Sequence, residues 1–205
     1  MTSNIDSQFQ KAGFDAERIA ETHGSLDRLQ CLQNCAKSGV WKENAASRSK
    51  RRVNTKTFRI KDLKSIPKCP HCGSIARPNV SLSSDTNETF NDAYYLFQKQ
   101  KLLSWLDRVR ADPSSELIVL EVGCGTSIHS LRIESEVLLY HDPALSGRVR
   151  LVRINPADFA VSNSSDLVAS SRTPKMIGIP LFGAQQALEK ITDAALSLIT
   201  SAFDC

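Results

Sequence analysis

The four paired cysteines constrain the fold of this 205-residue chain more than any other feature of its sequence. Cys31 and Cys35 form one close pair, and Cys69 and Cys72 form the other. Two short-spaced pairs supply the four soft donors of a tetrahedral zinc site at little cost in loop closure. We therefore expect these four thiolates to bind one structural zinc ion.

Two alternatives to a site with four cysteine ligands are disulfide bonds and a site in which a histidine is one of the ligands. A pair of structural disulfides is disfavoured because no secretory signal is visible. His71 could replace one thiolate, although four ligand positions are already filled. Cys124 and Cys205 are left over, and we expect them to be free thiols.

Composition limits the class of protein. Hydrophobic residues make up 41% of the chain, enough for a core, and no apolar run approaches the roughly 20 residues of a membrane span. The formal charge of +4 is too small to indicate nucleic-acid binding. The basic run Ser47–Arg52 is interpreted as a solvated loop, with nuclear import or nucleic-acid binding as the alternative. We expect an intracellular protein, cytoplasmic or nuclear.

The second half of the chain has the pattern of a nucleotide-binding sheet. An amphipathic helix is predicted near 92–110, then a buried strand at 117–122 that runs into the glycine turn 123–127. A short helix and a second strand at 149–154 follow, and Gly183 opens a last helix. Strand, glycine turn, helix and strand form a unit of a parallel Rossmann-like sheet.

Two helices are expected to carry an apolar stripe, and that of the last helix is expected to face the core. On the first helix the stripe consists of Tyr95, Leu102, Leu106 and Val109, with Trp105 beside it. On the last helix it consists of Ala184, Leu188, Ile191, Ala195, Leu198 and Ala202. Residues 157–175 are interpreted as a loop rich in serine and aspartate.

The glycine turn by itself is open to several interpretations. It could open an S-adenosylmethionine methyltransferase, or it could be a purely structural tight turn. Asn155 counts against the methyltransferase because an acidic residue normally ends the next strand. About fifty residues follow Asn155, too few to complete that sheet. A non-catalytic, zinc-stapled NAD-binding or interaction module is a further alternative.

Several motifs along the chain share one order and spacing. They are Asn4-Ile5-Asp6, Glu21-Thr22-His23-Gly24-Ser25, the cysteine pairs, Arg77-Pro78-Asn79-Val80, Gly123-Cys124-Gly125-Thr126-Ser127, Arg153-Ile154-Asn155-Pro156 and Gly183-Ala184. Together they resemble the sirtuins, which are NAD-dependent protein-lysine deacylases. The resemblance covers about residues 2–191 and rests on the joint order of motifs that are individually weak.

The resemblance implies a catalytic role for His23, as general base on a hydroxyl of the nicotinamide ribose. Histidine suits this task because it exchanges protons near neutral pH. Asn4 and Asp6 would line the nicotinamide pocket. Without the family context, His23 would be an ordinary loop or core histidine, and Asn4 and Asp6 would cap the following turn.

The resemblance also implies the cofactor, the substrate and the fold. NAD would be bound by Gly123, Gly125, Thr126, Ser127, Asn155, Gly183 and Ala184, and the zinc would be structural. The partner would be an acyl-lysine protein or peptide. The implied α/β fold is a Rossmann-like parallel sheet with an inserted zinc module, divided into residues 1–30, 31–85 and 86–205.

Three departures from the family pattern affect these expectations. The strand and the Gly-Ala-Gly-x-Ser phosphate loop that precede Asn-Ile-Asp in the family are missing, so we expect this chain to be N-terminally incomplete and inactive or weak. Ser7 stands where the family usually has glycine. Residues 81–85 replace the Phe-Gly segment that contacts the acyl-lysine, and only Asp85 keeps the pattern.

Overall fold

The chain forms two compact units, Met1–Trp105 and Leu106–Cys205. The computed structural model describes residues 1–35, 39–44, 52–160, 175–180 and 183–203. Most of the basic run that was interpreted as a solvated loop lies outside the described residues. The division into residues 1–30, 31–85 and 86–205 that was expected from the sequence has different boundaries, and it stays a prediction.

The first unit is built on an antiparallel sheet of three strands. They are β1 (Gly24–Cys31), β2 (Val40–Lys42) and β3 (Ala76–Val80), in the order β2-β1-β3. The pairing of β1 with β3 shifts register between Ser25 and Leu29. Such a bulge bends the strand and re-aims the residues within it.

Short helical segments complete the described part of the first unit. They are α1 (Gln8–Lys11) and the 3-10 turns Ala16–Arg18 and Leu63–Ser65. The longer helix α2 (Ala93–Ala111) begins in this unit and ends in the second.

The stripe expected for α2 is the more buried side of the helix. Leu106 is buried, the other three stripe residues are half-buried, and Trp105 is 44% exposed. A polar residue, Gln98, joins the stripe and is buried. The separation of apolar and polar sides is incomplete, because Leu96 and Phe97 are exposed.

The second unit contains the parallel sheet that the sequence predicts. Its strands are β4 (Leu117–Val122), β5 (Val149–Ile154) and β6 (Lys175–Ile179), in the order β4-β5-β6. Leu117 pairs with Val149 and the register continues without a shift to the end of both strands. The last strand was missed, because its start falls in the segment interpreted as loop.

The connection from β4 to β5 covers one face of this sheet. It consists of α3 (Ser130–Glu136), a π-type turn (Val137–His141) and a 3-10 turn (Pro143–Leu145). Leu139 and Leu145 are buried there. A parallel pair of strands requires a long crossover of this kind, and covering one face forms the core of the unit.

The other face of the parallel sheet carries an exposed apolar patch. Side chains alternate between faces along a strand, and the register places Ile118, Leu120, Val122 and Ile177 on the same face. Their exposed fractions are 69%, 46%, 37% and 60%.

The last helix, α4 (Ala184–Phe203), is present, but the first part of its stripe does not face a core. Ala184, Leu188 and Ile191 are exposed, and Ala187 is buried. The expectation that this stripe is core-facing is therefore wrong for these three residues. Periodicity identifies the apolar side of a helix but does not say what covers it.

None of the helices in the described part of the chain combines the length and apolarity that crossing a bilayer requires.

Candidate metal centre and cofactor site

The four paired cysteines converge on one point of the first unit. Their sulfur atoms all lie within 4.8 Å of one another. The Sγ atoms of Cys31 and Cys72 are 3.5 Å apart, and those of Cys35 and Cys69 are 3.6 Å apart. Tetrahedral zinc with Zn–S bonds of about 2.3 Å separates its sulfurs by about 3.8 Å, so the cluster fits zinc.

The same distances argue against disulfides. An S–S bond is about 2.05 Å long, and all four residues are free thiols in the structure. The two short S–S contacts join one pair to the other, Cys31 to Cys72 and Cys35 to Cys69. Both pairs therefore contribute to one centre, as four ligands of a single ion would.

The electrostatics of the thiols favour a cation. Although the amide of Cys35 lowers it, burial and the thiol of Cys72 raise the pKa of Cys31 to about 11. Although burial raises it, the amides of Cys72 and His71 lower the pKa of Cys69 to about 6. In the metal-free cluster, negative charge is therefore favoured on some sulfurs and opposed on others, and a divalent ion would stabilise all four thiolates.

Two backbone turns bring these cysteines together. Cys31 ends β1, and the N–H of Asn34 donates to its carbonyl at 3.0 Å. In the other pair, the N–H of Gly73 donates to the carbonyl of Cys69 at 3.0 Å. The sheet then joins both turns, because Cys31 pairs with Ala76 at the start of β3.

The His23-Gly24 turn is fixed by close contact between two strands. Gly24 has a φ of +78°, and a Cβ there would lie 2.0 Å from the carbonyl oxygen of Asn79. Only glycine fits this position. His23 is half-buried, and its carbonyl accepts a hydrogen bond from the N–H of Ser81 at 3.0 Å.

The Asn4–Asp6 segment runs beside the His23 segment. The N–H of Thr2 donates to the carbonyl of Ala20 at 2.8 Å, and the N–H of Thr22 donates to the carbonyl of Thr2 at 2.9 Å. Asn4 and Asp6 are exposed. The Oδ1 atom of Asp6 also accepts from the N–H of Gln8 at 3.2 Å, which is the turn-capping contact expected without the family context.

Behind this segment lies a buried carboxylate that the sequence analysis did not single out as functional. Glu21 is 2% exposed; its N–H donates to Oε1 of Gln98 at 3.0 Å, and Nε2 of Gln98 donates to Glu21 Oε2 at 3.5 Å. Among the described residues, Glu21 Oε1 has no hydrogen-bond partner. The pair links the His23 segment to α2, and residues 77 positions apart give no local sequence signal.

The segment that replaces the family's acyl-lysine contact is a locked turn. Oδ1 of Asp85 accepts from Arg77 at 2.8 Å, and Oδ2 accepts from the N–H of Leu82 at 2.8 Å. Although burial raises it, these donors hold the pKa of the Asp85 carboxyl below its ordinary value. Residues 81–84 are exposed at the tip of this turn.

In the second unit, the glycine turn and Asn155 come together. Gly123 has a φ of +69°, and its N–H donates to the carbonyl of Ile154 at 2.9 Å. Asn155 is 6% exposed, and its Nδ2 donates to the carbonyl of Cys124 at 3.0 Å. Its Oδ1 accepts from the N–H groups of Ala157 and Asp158. The side chain of Asn155 therefore shapes both loops.

An acidic side chain missed in the sequence lies at this turn. Oγ1 of Thr126 is 3.4 Å from Oδ2 of Asp158. The argument against the methyltransferase considered only Asn155 at the end of the second strand, but Asp158 comes three residues later and reaches the glycine turn. This weakens one argument against the methyltransferase.

A network of buried charged side chains is hydrogen-bonded to the glycine turn and to the sheet. Arg153 is 0% exposed, and its guanidinium binds Glu121, and also Glu136 at 2.9 Å. Arg132 donates to the carbonyls of Cys124 at 3.4 Å and Asp158 at 3.0 Å. The two arginines thus join both loops of the site to the sheet and to α3.

The expected NAD-binding residues belong to different units. Asn4, Asp6 and His23 lie in the first unit, whereas the glycine turn, Asn155, Gly183 and Ala184 lie in the second. Gly183 and Ala184 stand at the start of α4. That all of them line one cleft stays a prediction.

Comparison with known proteins identifies a family. A model described as the Sir2 family matches residues 1–105. A probable bifunctional ADP-ribose hydrolase/ADP-ribosyltransferase of Fusarium oxysporum f. sp. cubense is 30% identical over 155 residues, 75% of this chain and 25% of that protein.

Two archaeal proteins match a shorter segment. An NAD-dependent protein deacylase of Thermococcus kodakarensis is 31% identical over 80 residues, 39% of this chain and 26% of that protein. NAD-dependent protein deacylase 2 of Archaeoglobus fulgidus is 35% identical over 83 residues, which are 40% of this chain and 26% of that protein. The chain thus spans about a quarter of the length of the curated relatives it matches.

These matches do not favour a methyltransferase or a non-catalytic module. The family model matches half of the chain, including the cysteine cluster, and the parallel sheet that follows the matched residues is consistent with the fold of this family. This chain belongs to the Sir2 family, the sirtuins.

Proposed function

We propose that the protein removes acyl groups from lysine side chains of proteins or peptides in an NAD-dependent reaction. The observation that carries this proposal is the pairing of the Asn4–Asp6 segment with the His23 segment. The pairing leaves Asn4 and Asp6 exposed beside a half-buried histidine. The names of the archaeal relatives, NAD-dependent protein deacylases, support it.

Each residue has a role in this proposal. His23 takes the proton from a hydroxyl of the nicotinamide ribose, and Asn4 and Asp6 hold the nicotinamide end. NAD, when bound, supplies the ADP-ribosyl group that receives the acyl group as nicotinamide leaves. The residues Gly123, Gly125, Thr126, Ser127, Asn155, Gly183 and Ala184 hold the rest of the cofactor.

The metal centre has a structural role in this proposal. Cys31, Cys35, Cys69 and Cys72 use all four positions of a tetrahedral ion, so none remains for substrate. Reduced thiolate ligands support a location inside the cell, in the cytoplasm or nucleus.

The direct test is release of nicotinamide from NAD in the presence of an acetyl-lysine peptide. We expect weak turnover by the wild-type chain, in keeping with its departures from the family pattern, and a loss of at least about a hundredfold in His23→Ala, since general-base catalysis contributes that much. His141→Ala, in the second unit, is the matched control. Equal turnover by wild type and His23→Ala would exclude this role for His23.

A second candidate function is transfer of ADP-ribose to a protein acceptor. The match to the Fusarium protein, whose name includes ADP-ribosyltransferase, covers 75% of this chain, whereas the two archaeal deacylase matches cover 39% and 40%. The locked turn held by Asp85 also differs from the acyl-lysine contact of the family. In this reaction the acceptor replaces nicotinamide at the ribose carbon.

Mass spectrometry of the products separates the two functions. Deacylation removes the acetyl group from the lysine side chain of the peptide and transfers it to ADP-ribose. ADP-ribosyl transfer leaves the acetyl group in place and adds ADP-ribose to an acceptor protein. His23→Ala should abolish whichever product forms.

A further inference from the structure

Ser7 and Ser25 form a buried pair of hydroxyl groups. Their Oγ atoms are 2.8 Å apart, and either can donate. Ser7 is 6% exposed and Ser25 is 1% exposed. Ser25 Oγ also accepts from the N–H of Asp27 at 3.2 Å. A buried hydroxyl without a partner is costly, so these two side chains depend on each other.

The backbone of Ser7 is in an unusual conformation for a residue with a side chain. Its φ is 55° and its ψ is 30°, in the left-handed region. Glycine adopts this region freely, whereas a Cβ makes it unfavourable. The hydrogen bond to Ser25 is an interaction that glycine could not make, and it offsets the conformational cost.

The pair sits where the two site segments meet. Ser7 follows Asp6 directly, and Ser25 is the second residue after His23. One further contact lies next to the pair, because the N–H of Leu26 donates to the carbonyl of Ile5 at 2.9 Å. The Asn4–Asp6 segment is therefore attached to the His23 segment at Thr2, at Ile5 and at Ser7.

We propose that the Ser7–Ser25 hydroxyl pair is a clamp that holds the Asn4–Asp6 segment in register with His23. The two serines are then positioning residues for the NAD-dependent reaction, and this part of the inference rests on the proposed function. Neither serine touches the reacting atoms. Their effect passes through the placement of Asp6 and His23.

Hydrogen exchange at the Leu26 amide, measured by NMR, tests the clamp without any activity. In Ser7→Gly and in Ser25→Ala we expect exchange of this amide to rise about five- to tenfold, the effect of losing one hydrogen bond. The double variant should exchange no faster than Ser25→Ala, because Ser25→Ala already removes the hydroxyl–hydroxyl bond that Ser7→Gly removes. Ser104→Ala, an exposed serine on α2, is the matched control and should leave Leu26 unchanged.

Kinetics test the positioning role. Ser7→Gly relieves the backbone strain while it removes the hydroxyl, so global stability should stay near that of the wild type. We expect kcat for nicotinamide release to fall about tenfold, because small misplacements of reacting groups are costly. The KM for NAD should change less than about twofold.

The outcomes separate the two proposals. Unchanged Leu26 exchange in both serine variants would overturn the clamp. Faster exchange with an unchanged kcat per folded molecule would overturn the positioning role. A wild-type chain that releases no nicotinamide would overturn the proposed function, and the clamp would then be decided by Leu26 exchange alone.

Discussion

Single residues in this protein are constrained mainly by close backbone contacts and by buried polar groups. Gly24 lies against Asn79, Glu21 is hydrogen-bonded to Gln98, and Asp85 is held by Arg77. Each contact joins segments that are distant in sequence. A substitution at such a position therefore changes how two segments meet, in addition to the local conformation.

Replacing Gly24 by alanine should be severely destabilising. A Cβ at this position would lie 2.0 Å from the carbonyl oxygen of Asn79, and the φ of +78° is itself unfavourable for alanine. We expect the free energy of unfolding to fall by at least about 3 kcal/mol, measured with denaturant. Gly13→Ala is the control: its φ is +89° but nothing lies within 4 Å, so only about 1–2 kcal/mol should be lost.

The ion pair of Asp85 predicts a pH dependence of stability. Its folded pKa is lowered, so its contribution is complete above the ordinary aspartate value of about 3.9 and is lost as the pH falls through the lower folded pKa. At pH 7, Asp85→Asn should lower the free energy of unfolding by about 2 kcal/mol, as expected for hydrogen bonds to a charged group.

The difference between wild type and Asp85→Asn should shrink as the pH is lowered below about 4. Urea unfolding at several pH values measures it. A difference for Asp85→Asn that stays constant down to pH 2 would contradict the contribution assigned to its carboxylate.

At the scale of elements, the metal centre and the first sheet are one structural unit. Cys31 ends β1, Cys69 and Cys72 precede β3, and those two strands pair. The insert between the cysteine pairs is therefore joined to the sheet in two ways, by the pairing of β2 with β1 and by the cysteine cluster at its two ends. Loss of the metal should affect the paired strands as well as the cysteine turns.

Removing one ligand should release the metal and destabilise this sheet. Wild-type protein should contain one zinc per chain, and Cys69→Ser should contain little. Its free energy of unfolding should be lower by at least about 3 kcal/mol, because metal binding contributes directly to folding. Elemental analysis and denaturant unfolding measure both effects. Cys124→Ser lies outside the cluster and should keep its zinc; equal zinc in the two variants would exclude the assigned ligand set.

At the scale of the whole molecule, the chain divides into two compact units with different sheets. The second unit has an exposed apolar face formed by Ile118, Leu120, Val122 and Ile177. Contiguous apolar surface of this kind promotes association or aggregation.

Threonine substitutions on this face should reduce self-association. We expect Ile118→Thr with Ile177→Thr to lower light scattering and hydrophobic-dye binding, with a change in unfolding free energy within about 0.5 kcal/mol per site. Threonine keeps the β-branched shape that suits a strand. Leu151→Thr, at a position 1% exposed, is the control and should cost about 3 kcal/mol. Unchanged scattering would show that this face does not drive association.

Local patterns in the sequence predicted much of this protein. The cysteine pairs predicted the four members of the metal cluster, and periodicity predicted α2, β4, β5 and α4. Such features repeat within a few residues, so they can be recognised without knowledge of the fold. The resemblance to the sirtuins implied that the glycine turn and Asn155 belong to one site, and the side chain of Asn155 does contact that turn.

The tertiary structure decided the features that depend on distant partners. The polar strand β1 and the short strand β6 have weak local signals and exist because neighbouring strands pair with them. Ser7 and Arg153 are buried because Ser25 and Glu121 satisfy their polar groups, and the stripe of α4 is exposed at its start although its pattern suggested a core. A sequence shows which residues are apolar, but only the fold determines which surfaces are covered and which buried polar groups find partners.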